Sequence, residues 1–215
     1  MAIIKKKPEL VKFYKRLITS IFLVFIFFVT YVYYPLVLSY IFIACLTWIL
    51  FTEWATIGSL WLTPAYPVLP FICLIILNQS TTHRFLIPLI LFTAYSFDTG
   101  SYITGKLWGR AKLWPALSPK KTWVGLLGGF TIACTTAPIF WYLAGARPSF
   151  MLLIILNFVL CILALFGDLL ISYFKRKSGV KDSGNILPGH GGLLDRFDSI
   201  LLIVIIVFVI KNYLV

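Results

Sequence analysis

The chain has 215 residues, of which 60% are hydrophobic and only 12% charged, and its mean hydropathy of +0.97 lies far above that of a soluble domain. Apolar runs recur along its whole length, which leaves no room for a separate soluble domain and predicts one all-α, polytopic transmembrane protein. The net charge of +12, from 19 basic and 7 acidic residues, reads as membrane orientation and contact with anionic headgroups, not as nucleic-acid binding.

Residues 1–16 carry Lys5, Lys6, Lys7, Lys12, Lys15 and Arg16 and read as a basic cytoplasmic leader on the anionic leaflet. Residues 17–215 read as a single transmembrane domain. The basic-then-apolar start lacks a small-residue cleavage site, so an uncleaved first span is expected over Leu17–Tyr34, closed by Tyr31, Tyr33, Tyr34 and Pro35. The second span covers Leu36–Phe51. Glu53 follows among Trp48, Trp54 and Trp61 and is expected to be an interfacial carboxylate without a catalytic role. The third run, Tyr66–Leu77, is short and interrupted by Pro64, Pro67 and Pro70. Charge counting decides its fate. If it spans, 16 of the 19 basic residues fall on one side, and only Arg84, Arg147 and Lys211 on the other. If it is re-entrant, both internal basic loops change sides. The positive-inside bias therefore predicts about seven spans with the N-terminus cytoplasmic.

The fourth span, Phe85–Ile103, places Asp98 and Tyr102 four residues apart on one helix face. A carboxylate at that depth needs a partner or a wet cavity. The next loop reads Ser118-Pro119-Lys120-Lys121-Thr122 and runs into Gly125, which opens the fifth span to Leu143. Lysines before a helix N-terminus form a ready phosphate site. The sixth span, Phe150–Phe174, sets Asp168, Ser172 and Lys175 on one face. The seventh, Gly192–Ile210, opens with Asp195 and Asp198, three apart, where the helix dipole favours negative charge. Cys45, Cys73, Cys134 and Cys161 all lie inside apolar runs without metal-ligand or CxxC spacing, and read as membrane-core thiols.

The stretch from Ser172 to Asp198 concentrates the chemistry. It holds Lys175, Arg176, Lys177, Lys181 and Arg196, three aspartates (Asp182, Asp195 and Asp198) and five glycines around His190. Basic side chains bind phosphate oxygens, carboxylates hold the magnesium that accompanies nucleotide phosphates, and glycines let the backbone approach a ligand. On the seven-span topology Asp98, Asp168, Asp182, Asp195 and Asp198 share one membrane face with Lys120, Lys121 and these basic residues. That is the composition of a metal–triphosphate site.

The same stretch resembles the signature of the phosphatidate cytidylyltransferase family: Ser172, Lys175, Arg176, Lys181, Asp182, Pro188, His190, Gly191, Gly192, Asp195, Arg196 and Asp198 fall at its positions. Asp98–Gly129 is similar to the family as well. Val124 and Ile171 depart from it, since the family usually has glutamate at both. The resemblance implies transfer of a cytidylyl group from CTP to phosphatidate, giving CDP-diacylglycerol and pyrophosphate with Mg²⁺ or another divalent cation. It also implies a homodimer in the cell (inner) membrane with its active site on the cytoplasmic face.

Within that reading Asp168 and Asp195 are the expected metal ligands, with Asp198, Lys175 and His190 completing the catalytic set. Ser118, Lys120, Lys121, Ser172, Arg176, Lys181, Asp182, Arg196 and Asp98 are the expected substrate-binding residues. Asp182 is expected to pair with Lys181 or Arg176. A related CTP-dependent enzyme for another lipid phosphate is the neighbouring alternative. An anion transporter is a more distant one, because it would place functional charge near the bilayer midplane in two related halves.

Overall fold

The computed structural model describes residues 2–115, 117–186 and 191–215, with side chains for Tyr14 and from Leu17 onward. Helix α1 runs Ala2–Tyr33, so the basic stretch continues without a break into the first apolar run. Pro35, whose missing N–H costs nothing at a helix start, opens α2 (Pro35–Trp48). A π-helical turn, Ile49–Trp54, and a short α3, Ala55–Ile57, prolong it. The proline-rich run forms a second π-helical turn, Pro64–Val68, followed by α4, Leu69–Gln79. Then come α5 (Leu86–Trp108), α6 (Trp123–Leu143), α7 (Phe150–Lys177) and α8 (Leu194–Leu214).

Among the described residues four helical stretches are long and apolar enough to cross a membrane: Pro35–Ile57, Trp123–Leu143, Phe150–Lys177 and Leu194–Leu214. Leu17–Tyr33 and Pro64–Gln79 are shorter apolar helices. Helix α5 has the length, at 23 residues, but includes Asp98 and Lys106. The all-α membrane class holds, and each predicted run contains a helix.

One element departs from the sequence reading. The loop expected before α6 is a small antiparallel hairpin of β1, Lys112–Trp114, and β2, Ser118–Thr122. Its last residue caps α6: the Thr122 hydroxyl accepts from the Gly125 N–H at 3.0 Å. The hairpin thus fixes Lys120 and Lys121 on a strand.

Helices α5 and α6 make the most extensive contact in the molecule. Small residues permit it: a Cβ at Gly100 would stand 3.1 Å from the Gly129 Cα. Across α5, α6 and α7 a buried polar chain is fully satisfied. Trp141 Nε1 donates to Thr93 at 3.1 Å, Thr93 donates to Asn157 Oδ1 at 3.0 Å, and Asn157 donates to the Leu153 carbonyl at 2.8 Å. Helix α8 packs along α7 and also against α4 and α5, which brings its first turns beside Asp98 and Asp168.

Candidate active site

The start of α8 is held by a carboxylate from far away in the chain. Glu53 is only 2% exposed. Its Oε1 accepts from the Leu193 N–H at 2.7 Å, and its Oε2 accepts from the Leu194 N–H at 2.8 Å and from the Ser183 hydroxyl at 2.6 Å. The first N–H groups of a helix lack intrahelical partners, and an anion there also meets the positive end of the dipole. The expectation of an interfacial Glu53 is therefore corrected: the carboxylate is buried and caps α8. The π-helical turn around Glu53 carries it there, and Trp54 anchors that turn against Phe174 and Tyr66 with ring centroids 5.7 and 5.9 Å apart. Gly192 leaves room for it, since a Cβ there would stand 2.6 Å from Glu53 Oε2.

Asp195 is held as tightly. Its Oδ1 accepts from Lys175 Nζ at 2.6 Å, and its Oδ2 accepts from the Ser183 and Gly192 N–H groups, both at 3.0 Å. The Lys175 and Asp195 side chains are 9% and 8% exposed. This buried pair joins α7 to α8, and Ser183 links it to Glu53 through one hydroxyl and one N–H.

A second group of carboxylates has fewer donors. Asp98, Asp168 and Asp198 lie within charge–charge range of one another. Ser199 bridges two of them: its N–H donates to Asp198 Oδ1 at 2.8 Å and its hydroxyl to Asp98 Oδ2 at 3.2 Å. Asp168 accepts from the Ser172 hydroxyl at 3.3 Å and forms an ion pair with Lys121. Gly167 brings α7 onto α8, for a Cβ there would collide with the Asp198 carbonyl oxygen. Three like charges with so few donors suit a cation. Among the described residues no three carboxylate, histidine or cysteine side chains close into a metal cage of protein alone. Magnesium, which takes one or two carboxylates and completes its shell with water and phosphate oxygens, fits such a donor set.

Asp98, Ser101, Tyr102, Lys120 and Lys121 line a cavity of about 170 Å³ beside this cluster, so the predicted shared face of Asp98 and Tyr102 is present. Ser118 sits at the start of β2, away from that lining. Arg176 is exposed and donates to the Val180 carbonyl at 2.9 Å. Lys181 and Asp182 are exposed, and among the described residues Asp182 forms no ion pair. The expected pairing of Asp182 with Lys181 or Arg176 is thus corrected: the loop turns Asp182 to the surface while Arg176 closes the end of its own helix. Arg196 is exposed, within charge–charge range of Asp98. His190 lies outside the described residues.

The family model described as the cytidylyltransferase family matches residues 55–214. The chain belongs to this cytidylyltransferase family. Among curated relatives, the phosphatidate cytidylyltransferase of Rickettsia typhi is 36% identical over 229 aligned positions, covering 98% of each chain. That of Rickettsia conorii is 44% identical over 156 residues, or 68% of this chain and 66% of the relative. That of Bacillus subtilis is 48% identical over 109 residues, or 51% of this chain and 40% of the relative. The chain therefore spans just under two thirds of the Rickettsia conorii relative and a smaller share of the Bacillus subtilis one.

Two cytidylyltransferase-family departures now have places. Val124 is at the start of α6 and 38% exposed, whereas Ile171 is fully buried in the core. With glutamate at both positions in the family, the two departures would each remove a charge near the proposed phosphate site, yet the Ile171 side chain packs into the apolar core from α7. Sequence reasoning also missed Ser183 and Ser199 and underrated Glu53. The available signal for Glu53 was its setting, since a carboxylate closing an apolar run must find donors when the run is buried. The two serines gave no comparable signal, because their contacts cross from one segment to another.

Proposed function

We propose that this chain is a CTP:phosphatidate cytidylyltransferase that makes CDP-diacylglycerol and pyrophosphate for phospholipid synthesis. The observation that carries the reading is the gathering of Lys175, Asp195 and Asp198 of the family signature with Asp168, Asp98 and Lys121 at the α7–α8 junction. An oxygen of the phosphatidate phosphate attacks the α-phosphorus of CTP. The bond to the bridging oxygen of the β-phosphate breaks, and pyrophosphate leaves. A phosphate monoester is already anionic near neutral pH, so positioning and charge neutralisation carry the reaction.

A divalent ion would supply charge neutralisation on the transferring phosphate. Asp168 and Asp198 are the residues we assign to hold it, with Asp98 beside them. Asp195, first expected as a ligand, instead has both oxygens engaged by Lys175 and two backbone N–H groups, which suits the task of holding α8 in place. Lys120, Lys121 and Arg196 offer positive charge to the two anionic substrates.

We further assign seven spans, a cytoplasmic N-terminus and a cytoplasmic active site in the cell membrane, with a homodimer as the assembled form. Charge asymmetry between the loops supports the orientation. Membrane-impermeant labelling of cysteines at Lys120 and Lys181 from one side, and at His83 from the other, is expected. Labelling of all three from one side overturns the orientation. The transporter alternative is not favoured, because the carboxylates gather at one helix junction.

The activity is tested by measuring pyrophosphate release from the purified protein in detergent with Mg²⁺. Release that requires both CTP and phosphatidate, and that stops on chelation, is expected. Equal release without phosphatidate would sink the reading.

A further inference from the structure

A second cavity lies on the opposite side of α8 from the carboxylates. It measures about 450 Å³ and lies between α1, α2, α4, α5 and α8. That is the size of a small-molecule site. Leu23, Phe27, Phe42, Leu74 and Ile87 are among its apolar walls. Helix α8 and its cap contribute Leu193, Arg196, Phe197 and Ile200, the spacing of one helix face. Asp195, Asp198 and Ser199 leave the same two turns in the other direction, toward Lys175, Asp168 and Asp98. The opening of α8 is therefore a partition with phosphate chemistry on one side and an apolar chamber on the other. Arg196 is the one charged residue among the chamber's described lining, and it also lies within charge–charge range of Asp98.

Helix α1 forms the outer wall of this chamber. Leu23 and Phe27 face inward, while Ile21, Phe22 and Phe25 are 60%, 60% and 63% exposed. Its far end is pinned by the Tyr31 hydroxyl donating to the Arg84 carbonyl at 3.4 Å and by the Arg84 guanidinium 4.5 Å from the Tyr31 ring centroid. The wall that α1 contributes thus carries apolar side chains on its outer face as well.

We propose that this chamber holds an acyl chain of the phosphatidate substrate, with Arg196 at the phosphate end. The proposal rests on the lipid-phosphate reading above. Three observations select the occupant: the chamber is apolar, its α1 wall exposes apolar side chains outward, and its charged residue is carried by the helix that carries Asp195 and Asp198. Lipid tails are as apolar as the chamber walls, so shape and headgroup, not transfer from water, set the selectivity.

The test uses the full chain in nanodiscs with a phosphatidate carrying a diazirine in its acyl chain. Adducts on Leu23, Phe27 or Phe42, competed by phosphatidate and not by phosphatidylcholine, are expected. Adducts elsewhere, or equal competition by phosphatidylcholine, overturn the proposal. A second variant, Cys45→Trp, narrows the chamber from α2. Its KM for dioleoyl phosphatidate is expected to rise about tenfold while kcat and the KM for CTP hold, the pattern of lost ground-state binding. Dihexanoyl phosphatidate should be used as by the wild type. An unchanged KM for the long-chain substrate in folded Cys45→Trp overturns the assignment, and if that variant does not fold the adducts decide alone. Wild-type protein inert toward every phosphatidate would sink the functional reading, while the adduct pattern still decides what the chamber holds.

Discussion

Asp195 and Asp198 are three residues apart on α8 and live in opposite surroundings. Asp195 receives an ammonium and two backbone N–H groups, and the nearby Glu53 receives two N–H groups and a hydroxyl. Asp198 receives one N–H, from its own neighbour Ser199, and faces Asp98 and Asp168. The first surroundings complete themselves from within the protein and fix the chain. The second leave like charges with few donors, which is why we assign them to hold a cation beside the anionic substrates. The same residue type therefore serves architecture in one turn and chemistry in the next, and the supply of donors tells them apart.

The largest expected effect comes from breaking the buried pair. Lys175→Met leaves the Asp195 carboxylate without its cation, and loss of one partner of a buried pair costs about 3–5 kcal/mol. A large fall in the unfolding midpoint in detergent checks this. Asp195→Asn should fall in stability as well, since it removes the carboxylate that Lys175 and two backbone N–H groups hold. A stable Lys175→Met protein would mean that Asp195 is free to serve elsewhere.

Glu53→Gln comes next. The amide keeps one acceptor oxygen but puts a donor where the Leu194 N–H and Ser183 hydroxyl now point. A cost of about 1–3 kcal/mol is expected. Because α8 carries both kinds of aspartate, turnover should fall with stability, and both should recover at lower temperature. Turnover lost at full stability would move Glu53 from architecture into chemistry.

Asp198→Asn sharpens the contrast from the other side. It removes one of three crowded like charges, so stability should stay within about 0.5 kcal/mol or rise. Turnover should drop by about 10²–10³, as when one charge-stabilising group is removed. Pyrophosphate release against Mg²⁺ concentration, measured beside an unfolding curve, separates the two effects. Asp182→Asn should do least, with stability within about 0.5 kcal/mol and mild loss of turnover, since Asp182 is exposed and forms no ion pair among the described residues.

The helices were legible in the sequence because apolar runs near bilayer length need no partner to declare themselves. Chain order alone also put Asp168, Ser172 and Lys175 on one face, since that follows from helical periodicity, and the Ser172–Asp168 contact agrees. The signature from Ser172 to Asp198 carried the family, because its polar residues stand out against hydrocarbon. Other features had no such local source. Whether Asp195 meets a lysine or a metal depends on which donors surround it, and those come from Ser183 and Gly192 as well as α7. The role of Glu53 depends on contacts 140 residues along the chain. Ile171 could be read as a lost charge at the site until packing showed which way it points. Sequence by itself determined the membrane class, the helical faces and the family chemistry, each of which depends on neighbours within a few turns. Only the tertiary structure decided which carboxylates are already satisfied by donors and which face other carboxylates, because donors and like charges balance in space and not along the chain.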